Sequence, residues 1–321
     1  MKTLFLGSYG FGNLGDELCL LDAIRTFPSD EVHVLSYRPA FTGRFVEVAS
    51  FVENYNDARL LRPDRIVLGG GGVGTQSMLP KFMSFMNDAL AWGAQCHIYN
   101  IGVANLNTSW ITPEIRRAAQ ALASFSVRDF TSRRIVNRWN LDLPVEVGLT
   151  RYPERFYPMD ESVDFGLPAG RKIGISLTNQ STMARAVDEN LPLIQDFLKP
   201  YEDFTLVPVV STIHQYERSE DDAAAFSSFV SRLGLRQKIA LPQTLDPSWW
   251  IEEMSPTRLK ALIGQLDLLV SQRKHNCVHA FGAGTAAIGL YPGQDDSLPR
   301  LFNTVSHETP AGSRLLPLTM L

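Results

Sequence analysis

Four short stretches of the sequence combine residue types that bind small anions. Two are glycine-rich, namely GSYGFGNLGDE at 7–17 and GGGGVGT at 69–75. The other two, SVRD at 126–129 and SQRKHN at 271–276, place arginines at the predicted ends of strands. In parallel α/β folds, ligands bind where strands end and helices begin, because loops and backbone N–H groups converge there. We therefore expect the functional residues among these four stretches.

The stretch at 271–276 has the clearest chemical signature. Arg273, Lys274 and His275 place a guanidinium, an ammonium and a titratable imidazole shortly after Ser271, the last residue of a predicted strand. A helix is predicted to begin at Lys274, and its N-terminus adds to the attraction for an anion. Because imidazole titrates near neutral pH, the pattern predicts an anion site with its own proton donor. His279 follows one helical turn later, but without a His-Glu-x-x-His pattern we expect it to pack and expect no metal site.

The two glycine-rich stretches predict that another group approaches the backbone closely. The first has the spacing of a dinucleotide-binding loop, but Ser36-Tyr37-Arg38 stands where the acidic partner of such a loop is expected. It is either an anion- or sugar-binding loop or a tight turn in which Asp16 caps the next helix. The second stretch, with Gly69–Gly72, lacks the Lys-Ser/Thr end of a P-loop. Four consecutive glycines are entropically costly, which favours approach of a ligand over approach of a neighbouring loop.

Arg128 follows the predicted strand Ser124–Val127. A guanidinium at a strand end suits bidentate binding of a carboxylate or a phosphate. The alternative is a structural ion pair with Asp129, and Arg128 taken alone favours that alternative.

Alternating short apolar runs and helical patterns predict parallel β-α units along most of the chain. A stretch rich in proline and glycine at 151–171 interrupts the pattern, and we interpret it as a linker. We therefore predict an α/β protein with two Rossmann-like, doubly wound domains, residues 1–155 and 156–321, that face a central cleft. Helices are expected from about Asp16 and at Asp188–Leu198, and a short strand at Lys238–Leu241, whereas the C-terminal segment gives no clear pattern.

The composition is that of a globular protein. The chain has 321 residues, of which 45% are hydrophobic and 20% are charged. This length and apolar content are enough for two hydrophobic cores. The net charge is −4 and no run of arginines or lysines occurs, so we expect no nucleic-acid binding, and local arginines must hold any anion. Three scattered cysteines, no signal-peptide pattern and no apolar run of membrane-spanning length predict a cytoplasmic protein without a transmembrane segment.

In their order along the chain, the four stretches resemble the motifs of the polysaccharide pyruvyl transferase family. GSYGFGNLGDE is similar to the family's opening glycine-rich loop, and GGGGVGT is similar to its second. SVRD resembles its mid-chain signature, and SQRKH resembles its C-terminal Ser-x-Arg-x-His signature. The resemblance extends over residues 3–291, which is nearly the whole chain.

The resemblance implies a GT-B-like fold and a transferase that moves the pyruvyl group of phosphoenolpyruvate onto a saccharide or glycoconjugate, forming a ketal in polysaccharide and cell-envelope biosynthesis. Phosphoenolpyruvate is then a co-substrate and no cofactor is expected. The oligomeric state is left undecided, and a homo-oligomer is one possibility. It implies that Arg128 and Arg273 hold the carboxylate and phosphate of the donor and that His275 is the acid. The other expected site residues are Ser271, Lys274, Gly71 and Gly72 as further substrate contacts, with Gly12, Asn13 and the catalytic Asp16 on the acceptor side.

This chain departs from the family pattern at two places. An Asp-Pro usually follows the SVRD helix, where this chain has LTRYP at 149–153, and a lysine usually follows the last strand, where it has YPGQDD at 291–296. These departures indicate a diverged acceptor. Two other functions fit the same residues: a GT-B glycosyltransferase that uses a nucleotide sugar, and a non-catalytic sugar- or phosphate-binding relative. No acid for a ribose stands out in the second half, and intact Arg273 and His275 argue against loss of catalysis.

Overall fold

The computed structural model describes residues 1–104, 107–148, 152–214, 221–233, 238–240, 242–293 and 297–319. The chain divides into two compact units. Unit 1 contains Met1–Phe11 and Gly15–Pro153, and unit 2 contains Gly12–Leu14 and Glu154–Leu321. Each unit is built around one parallel sheet with helices between its strands, so the predicted α/β class is confirmed.

Unit 1 has a seven-stranded sheet. Its strands are β1 (Lys2–Leu6), β2 (Glu31–Leu35), β3 (Ser50–Val52), β4 (Arg65–Gly69), β5 (Gln95–Ile101), β6 (Ser124–Val127) and β7 (Glu146–Val147). They lie in the order β3-β2-β1-β4-β5-β6-β7. The order reverses between β1 and β4, which is where a doubly wound sheet has its binding crevice. The two glycine-rich stretches follow these two strands, so the sheet order brings them to the same point.

Six helices connect the strands of unit 1 in its described part. They are α1 (Leu14–Thr26), α2 (Pro39–Thr42), α3 (Tyr55–Leu61), α4 (Leu79–Ala91), α5 (Pro113–Gln120) and α6 (Phe130–Asn137). The sheet is buried on both faces: Leu4 and Leu6 lie in one apolar cluster, and Phe5 between them lies in another. This double burial explains why the strands are continuous apolar runs in the sequence.

Unit 2 has a five-stranded sheet. Its strands are β8 (Lys172–Ser176), β9 (Thr205–Pro208), β10 (Leu268–Ser271), β11 (Ala286–Pro292) and β12 (Arg314–Leu318), in the order β12-β11-β10-β8-β9. Its helices are α7 (Ser181–Glu189), α8 (Leu191–Leu198), α9 (Asp222–Leu233), α10 (Pro247–Glu253), α11 (Pro256–Gly264), α12 (Lys274–Ala283) and α13 (Ser297–Thr304). Here the order reverses between β8 and β10. The SQRKHN stretch follows β10, so it lies at the crevice of this sheet.

Two predicted helices differ from the structure. The first begins at Leu14, so Asp16 lies in the first turn of α1 and does not cap it. The helix expected at Asp188–Leu198 is instead the end of α7 followed by α8. The break falls at Asn190, and Pro192 explains it, because proline has no N–H to continue the preceding helix but fits the first turn of a new one.

Two further segments correct the sequence interpretation. The strand expected at Lys238–Leu241 is a single bridge between Leu206 and Ile239, while Leu241 lies outside the described residues. The C-terminal segment, which gave no pattern, contains α13 and β12, and β12 pairs in parallel with β11. The proline within β12 is tolerated because this strand is at the edge of the sheet.

The stretch interpreted as a linker is packed against unit 2 where it is described. A short 3-10 turn covers Pro153–Arg155, and Glu154 within it is fully buried. Lys260 of α11 donates hydrogen bonds to the carbonyl oxygens of Arg155 and Tyr157, at 2.9 and 2.6 Å. Prolines and glycines therefore mark irregular but fixed backbone here, and Arg151 lies outside the described residues.

Gly174, in the middle of β8, leaves no room for a side chain. A Cβ atom there would lie 2.3 Å from Cδ1 of Leu266 and 2.9 Å from Cγ2 of Val209. We expect Gly174→Ala to lower the free energy of unfolding by about 1–3 kcal/mol, the usual cost of over-packing. Guanidinium chloride unfolding followed by circular dichroism measures this change. Gly293→Ala is the control, because nothing lies within 4 Å of its Cβ position; an equal loss in both variants would contradict the packing explanation.

Candidate functional site

His275, in the first turn of α12, faces a buried carboxylate. Its Nδ1 is hydrogen-bonded to Oε1 of Glu154, whose side chain is completely buried, while the imidazole is 17% exposed. Burial raises the pKa of Glu154, but the charge of His275 and its hydrogen bond outweigh burial and leave that pKa below its usual value. Because Nδ1 is engaged, Nε2 is the ring nitrogen that can exchange a proton with a ligand. A carboxylate that orients an imidazole in this way is typical of acid–base sites.

His279 lies one turn further along α12 and is fully buried. Burial lowers its pKa to about 4, so the ring is neutral at physiological pH. Within the described ranges, neither of its nitrogens has a hydrogen-bond partner, and no group of three or more His, Cys, Asp or Glu is arranged to hold a metal. His279 thus lies in the core, as a packing residue does.

Arg273, the residue before α12, is held by a second buried carboxylate. Its Nε and Nη2 donate to Oδ1 of Asp222 at 2.9 and 2.6 Å. The other oxygen, Oδ2, accepts from Ser211 N, Ser211 Oγ and Thr212 N at 3.0, 2.9 and 3.1 Å. Burial raises the pKa of Asp222, and Arg273 is the strongest influence against that rise. Five donors around one carboxyl group favour its ionised form.

Asp222 is the last residue of the acidic run at 217–222. Acidic residues at the start of a helix are usually solvated. Asp222 is instead 1% exposed, because it supplies the charge that Arg273 needs. The rest of the run up to residue 220 lies outside the described residues.

Ser271 and Asn276 fix the connection between β10 and α12. The Ser271 hydroxyl accepts from the N–H of Arg273 and donates to its carbonyl oxygen, each at 2.9 Å. Nδ2 of Asn276 donates to Oγ of Ser176 at 2.7 Å, which ties α12 to the end of β8. The Arg273 side chain does not cap α12. The helix N-terminus and the cationic side chains of Arg273 and Lys274 thus concentrate positive charge beside His275.

Gly12–Leu14 belong to unit 2, where they pair with the segment after β9. Ile213 N donates to Gly12 O at 3.1 Å, and Leu14 N donates to Ser211 O at 3.2 Å. Asn13 and Thr212 form an antiparallel bridge between these two hydrogen bonds. Gly12 has φ +81°, which glycine adopts without strain. Two of the three residues expected on the acceptor side, Gly12 and Asn13, therefore lie in a fixed segment.

The second glycine-rich stretch packs against α1. A Cβ atom on Gly70 would lie 2.1 Å from Cβ of Cys19, and one on Gly71 would lie 2.5 Å from Oδ1 of Asp16. The close approach predicted by these glycines is thus made by a neighbouring helix at Gly70 and Gly71. It places the expected catalytic residue Asp16 beside Gly71, whereas Gly72 is exposed with open space around it.

Glu17 follows Asp16 in α1 and holds the first glycine-rich loop through a hydrogen bond. It is fully buried, and its Oε1 accepts from the N–H of Gly10 at 2.7 Å. Burial raises its pKa to about 8, although the N–H of Gly10 opposes this rise. Glu17 therefore contributes to loop structure and is too deep to contact a saccharide.

Arg128 is a nearly buried cation without a close counter-ion. Its guanidinium lies against Gly102, where a Cβ atom would be 2.3 Å from Nη2, and its side chain is 13% exposed. Nε has no hydrogen-bond partner among the described residues, and Oδ2 of Asp129 is 4.0 Å away. Asp129 instead caps α6, its Oδ1 accepting from Ser132 N at 2.6 Å. A buried guanidinium nitrogen without a hydrogen-bond partner is costly, and the ion pair with Asp129 is long, so this geometry leaves Arg128 able to bind an anionic ligand.

Glu154 and Asp222 are the two residues that sequence reasoning missed. Glu154 is 121 positions from His275, and Asp222 is 51 positions from Arg273. No spacing rule connects residues so far apart. The one available signal was an acid next to a proline at the boundary of the two predicted domains.

The comparisons with known proteins agree with the motifs. The model of the polysaccharide pyruvyl transferase family matches residues 13–149, which include the second glycine-rich stretch and SVRD. The resemblance found in the sequence is confirmed over that region, and SQRKHN lies beyond it. No match to the chain exists among the curated proteins compared.

Several solved structures share the fold at low sequence identity. A putative UDP-N-acetylglucosamine 2-epimerase from Listeria monocytogenes superposes with a TM-score of 0.59 and 11% identity, covering 94% of this chain and 81% of that chain. A UDP-GlcNAc 2-epimerase from Methanocaldococcus jannaschii, in complex with UDP-GlcNAc and UDP, gives 0.56 and 10%, covering 98% and 88%. The Neisseria meningitidis enzyme bound to UDP-GlcNAc gives 0.55 and 10%, covering 98% and 87%. These likenesses concern the fold alone, and the expected GT-B-like fold is confirmed.

Glu17 makes stability depend on pH. Its pKa is about 8 in the folded state, so between its unfolded value and about 8 the folded protein binds the extra proton and loses stability as pH rises. We expect Glu17→Gln, which keeps an acceptor for Gly10, to flatten this loss, which amounts to at most about 1.4 kcal/mol per pH unit. Urea unfolding across that range measures it. A variant whose stability falls with pH as steeply as the wild type would contradict the assignment.

Proposed function

We propose that this chain is a pyruvyl transferase that moves the pyruvyl group of phosphoenolpyruvate onto a saccharide-type acceptor. The family match supports a transferase, and the observation that carries the proposal is Arg128. Its guanidinium is nearly buried, and its Nε lacks a hydrogen-bond partner in the described part of the chain. Phosphoenolpyruvate carries a carboxylate and a phosphate, the two groups that a planar guanidinium binds best.

The reaction begins with proton transfer to the methylene carbon of the enol phosphate. His275 donates that proton from Nε2, which leaves an oxocarbenium-like carbon. A first acceptor hydroxyl adds to this carbon and loses its proton. The carbon–oxygen bond to phosphate then breaks and inorganic phosphate leaves with the bonding electrons. A second hydroxyl adds to the same carbon and loses its proton, so the product is a ketal that bears a methyl group and a carboxylate.

The cations around α12 fit the leaving phosphate. Lys274 and the N-terminus of α12 stabilise the developing negative charge, and Arg273 is fixed by Asp222 beside them. The carboxylate of Glu154 stabilises the imidazolium form of His275 before it donates. On the acceptor side, Asp16 accepts a hydroxyl proton or orients the saccharide, with Gly12, Asn13, Gly71 and Gly72 as backbone contacts. No step requires a metal or an organic cofactor.

Release of inorganic phosphate from phosphoenolpyruvate in the presence of an acceptor tests the proposal. Phosphoenolpyruvate is incubated with a panel of saccharides, nucleotide-linked sugars and lipid-linked sugars, and mass spectrometry identifies acceptors that gain a pyruvate ketal. With a productive acceptor, we expect His275→Ala to lower turnover by about 10²–10⁴-fold, the usual contribution of a general acid. Exposed His307→Ala is the control and should be unaffected. Full turnover of His275→Ala would show that the acid is another group.

Glu154→Gln should lower the turnover of the same reaction. The amide can still accept the hydrogen bond from Nδ1 of His275, but the negative charge that faces the imidazole is lost. Glu154→Asp, which keeps the charge, should restore part of the turnover. Unchanged turnover in Glu154→Gln would mean that Glu154 has a structural role only.

Gly102→Ala displaces the Arg128 guanidinium without changing any charge. The added methyl group would occupy the space in which Nη2, Cζ and Nε now lie, 2.3–2.4 Å from its position. We expect the KM for phosphoenolpyruvate to rise about tenfold or more, because a hydrogen bond to a charged group is worth about 1.5–3 kcal/mol. Steady-state kinetics measures it, with Gly293→Ala as control. An unchanged KM would exclude Arg128 from donor binding.

A nucleotide sugar is the second candidate donor. The structural neighbours from N. meningitidis and M. jannaschii bind UDP-GlcNAc, which has a diphosphate that the start of α12 suits equally well. Calorimetry separates the two donors. Binding of UDP-GlcNAc without binding of phosphoenolpyruvate would replace the pyruvyl transferase proposal.

A further inference from the structure

The exposed face of α6 carries a set of cationic side chains. The cationic face consists of Phe130, Arg133, Arg134, Asn137 and Arg138. These positions follow one another at helical spacing, and all five side chains are exposed. The opposite side of α6, with Ser132, Ile135 and Val136, is buried in unit 1. The arginines are therefore brought onto one surface by the helix, although the sequence has no arginine-rich run.

The side chains of Arg133, Arg134 and Arg138 form neither an ion pair nor a hydrogen bond within the described ranges. Other exposed arginines, such as Arg117 and Arg185, pair with a glutamate on the same helix at 3.4 and 2.6 Å. The one acid at this helix, Asp129, is buried as its N-cap. The exposed side of α6 thus carries cations without an acid of its own, in a chain whose net charge is −4.

The cationic face forms an open groove of about 610 Å³, which Asn140 also lines. A fourth guanidinium adds to its charge, because Nη1 of Arg116 donates a hydrogen bond to the carbonyl oxygen of Asn140. One exposed acid, Asp142, lies in an adjoining depression of about 430 Å³. At one end of the groove, the ring of Phe130 is 58% exposed. An open basic surface with one exposed aromatic ring suits an extended array of phosphates better than a single enclosed ligand.

We propose that the cationic face of α6 binds the surface of an anionic phospholipid bilayer. Arginines near such a surface are attracted to its phosphates, and an exposed aromatic ring inserts among the headgroups. The contact is peripheral: among the described residues, none of the helices has the length and apolarity to cross a bilayer. Because α6 follows directly after Arg128, this contact would hold a substrate-binding region of unit 1 near membrane-linked acceptors. The inference does not depend on the identity of the donor.

Cosedimentation with vesicles tests this inference. The full chain is mixed with vesicles of phosphatidylcholine alone and with vesicles that also contain phosphatidylglycerol, at low and at high salt. We expect binding to the anionic vesicles only, lost at high salt because mobile ions screen the arginines. Each arginine contributes about fivefold to partitioning, so R133Q/R134Q/R138Q should bind about a hundredfold more weakly. Phe130→Ala should weaken binding without changing the salt dependence.

The control variant is R44Q/R62Q/R171Q, which removes the same charge from three other exposed positions. It should bind as the wild type does. The inference is overturned if the α6 variant binds anionic vesicles as tightly as the wild type, or if the wild-type protein does not bind anionic vesicles. Displacement by soluble glycerol phosphate at the headgroup concentration would show a free-phosphate site instead. Retention on heparin without vesicle binding would show a site for a soluble polyanion. Pyruvyl transfer is assayed separately, so absence of that activity would not change the interpretation of vesicle binding.

Discussion

The hydrogen bond between Glu154 and His275 fixes the orientation of the imidazole at the start of α12. A carboxylate buried away from water requires a partner, and an imidazole facing it is restrained in orientation. The same principle acts two residues earlier, where buried Asp222 holds Arg273. Arg273 and His275 are thereby each fixed by an acid from another part of unit 2. Arg128 is different, since its nearly buried Nε has no such partner among the described residues, and we infer that the substrate provides the missing charge.

The sheet order explains why these groups lie where they do. In each sheet the strand order reverses once, between β1 and β4 in unit 1 and between β8 and β10 in unit 2. The loops that leave those strands diverge to opposite faces of the sheet, which opens a crevice. Three of the four stretches that resemble the family motifs follow such strands. The fourth, with Arg128, follows β6 and reaches Gly102 after β5.

The sequence predicted much of this arrangement for a physical reason. Buried parallel strands are apolar on both faces, so β1, β4 and β10 are visible as short apolar runs that end at functional stretches. Short edge strands such as β3 and β7 have few residues and half-exposed patterns, so they were not visible. Glu154 and Asp222 were missed because their contacts depend on how distant segments pack. The glycines at 70–71 were interpreted as sites of close approach with a ligand as the favoured neighbour, whereas the structure shows that the neighbour at both positions is α1.

The proton that His275 is proposed to donate can be followed directly. When transfer from unlabelled phosphoenolpyruvate is run in deuterium oxide, the methylene carbon must gain one solvent-derived deuterium as it becomes the methyl group of the ketal. Mass spectrometry and NMR of the isolated product count the deuterium at that carbon. The account predicts a single deuterium in each methyl group of the pyruvate ketal. A ketal methyl group without deuterium, or release of phosphate without any ketal, would contradict it.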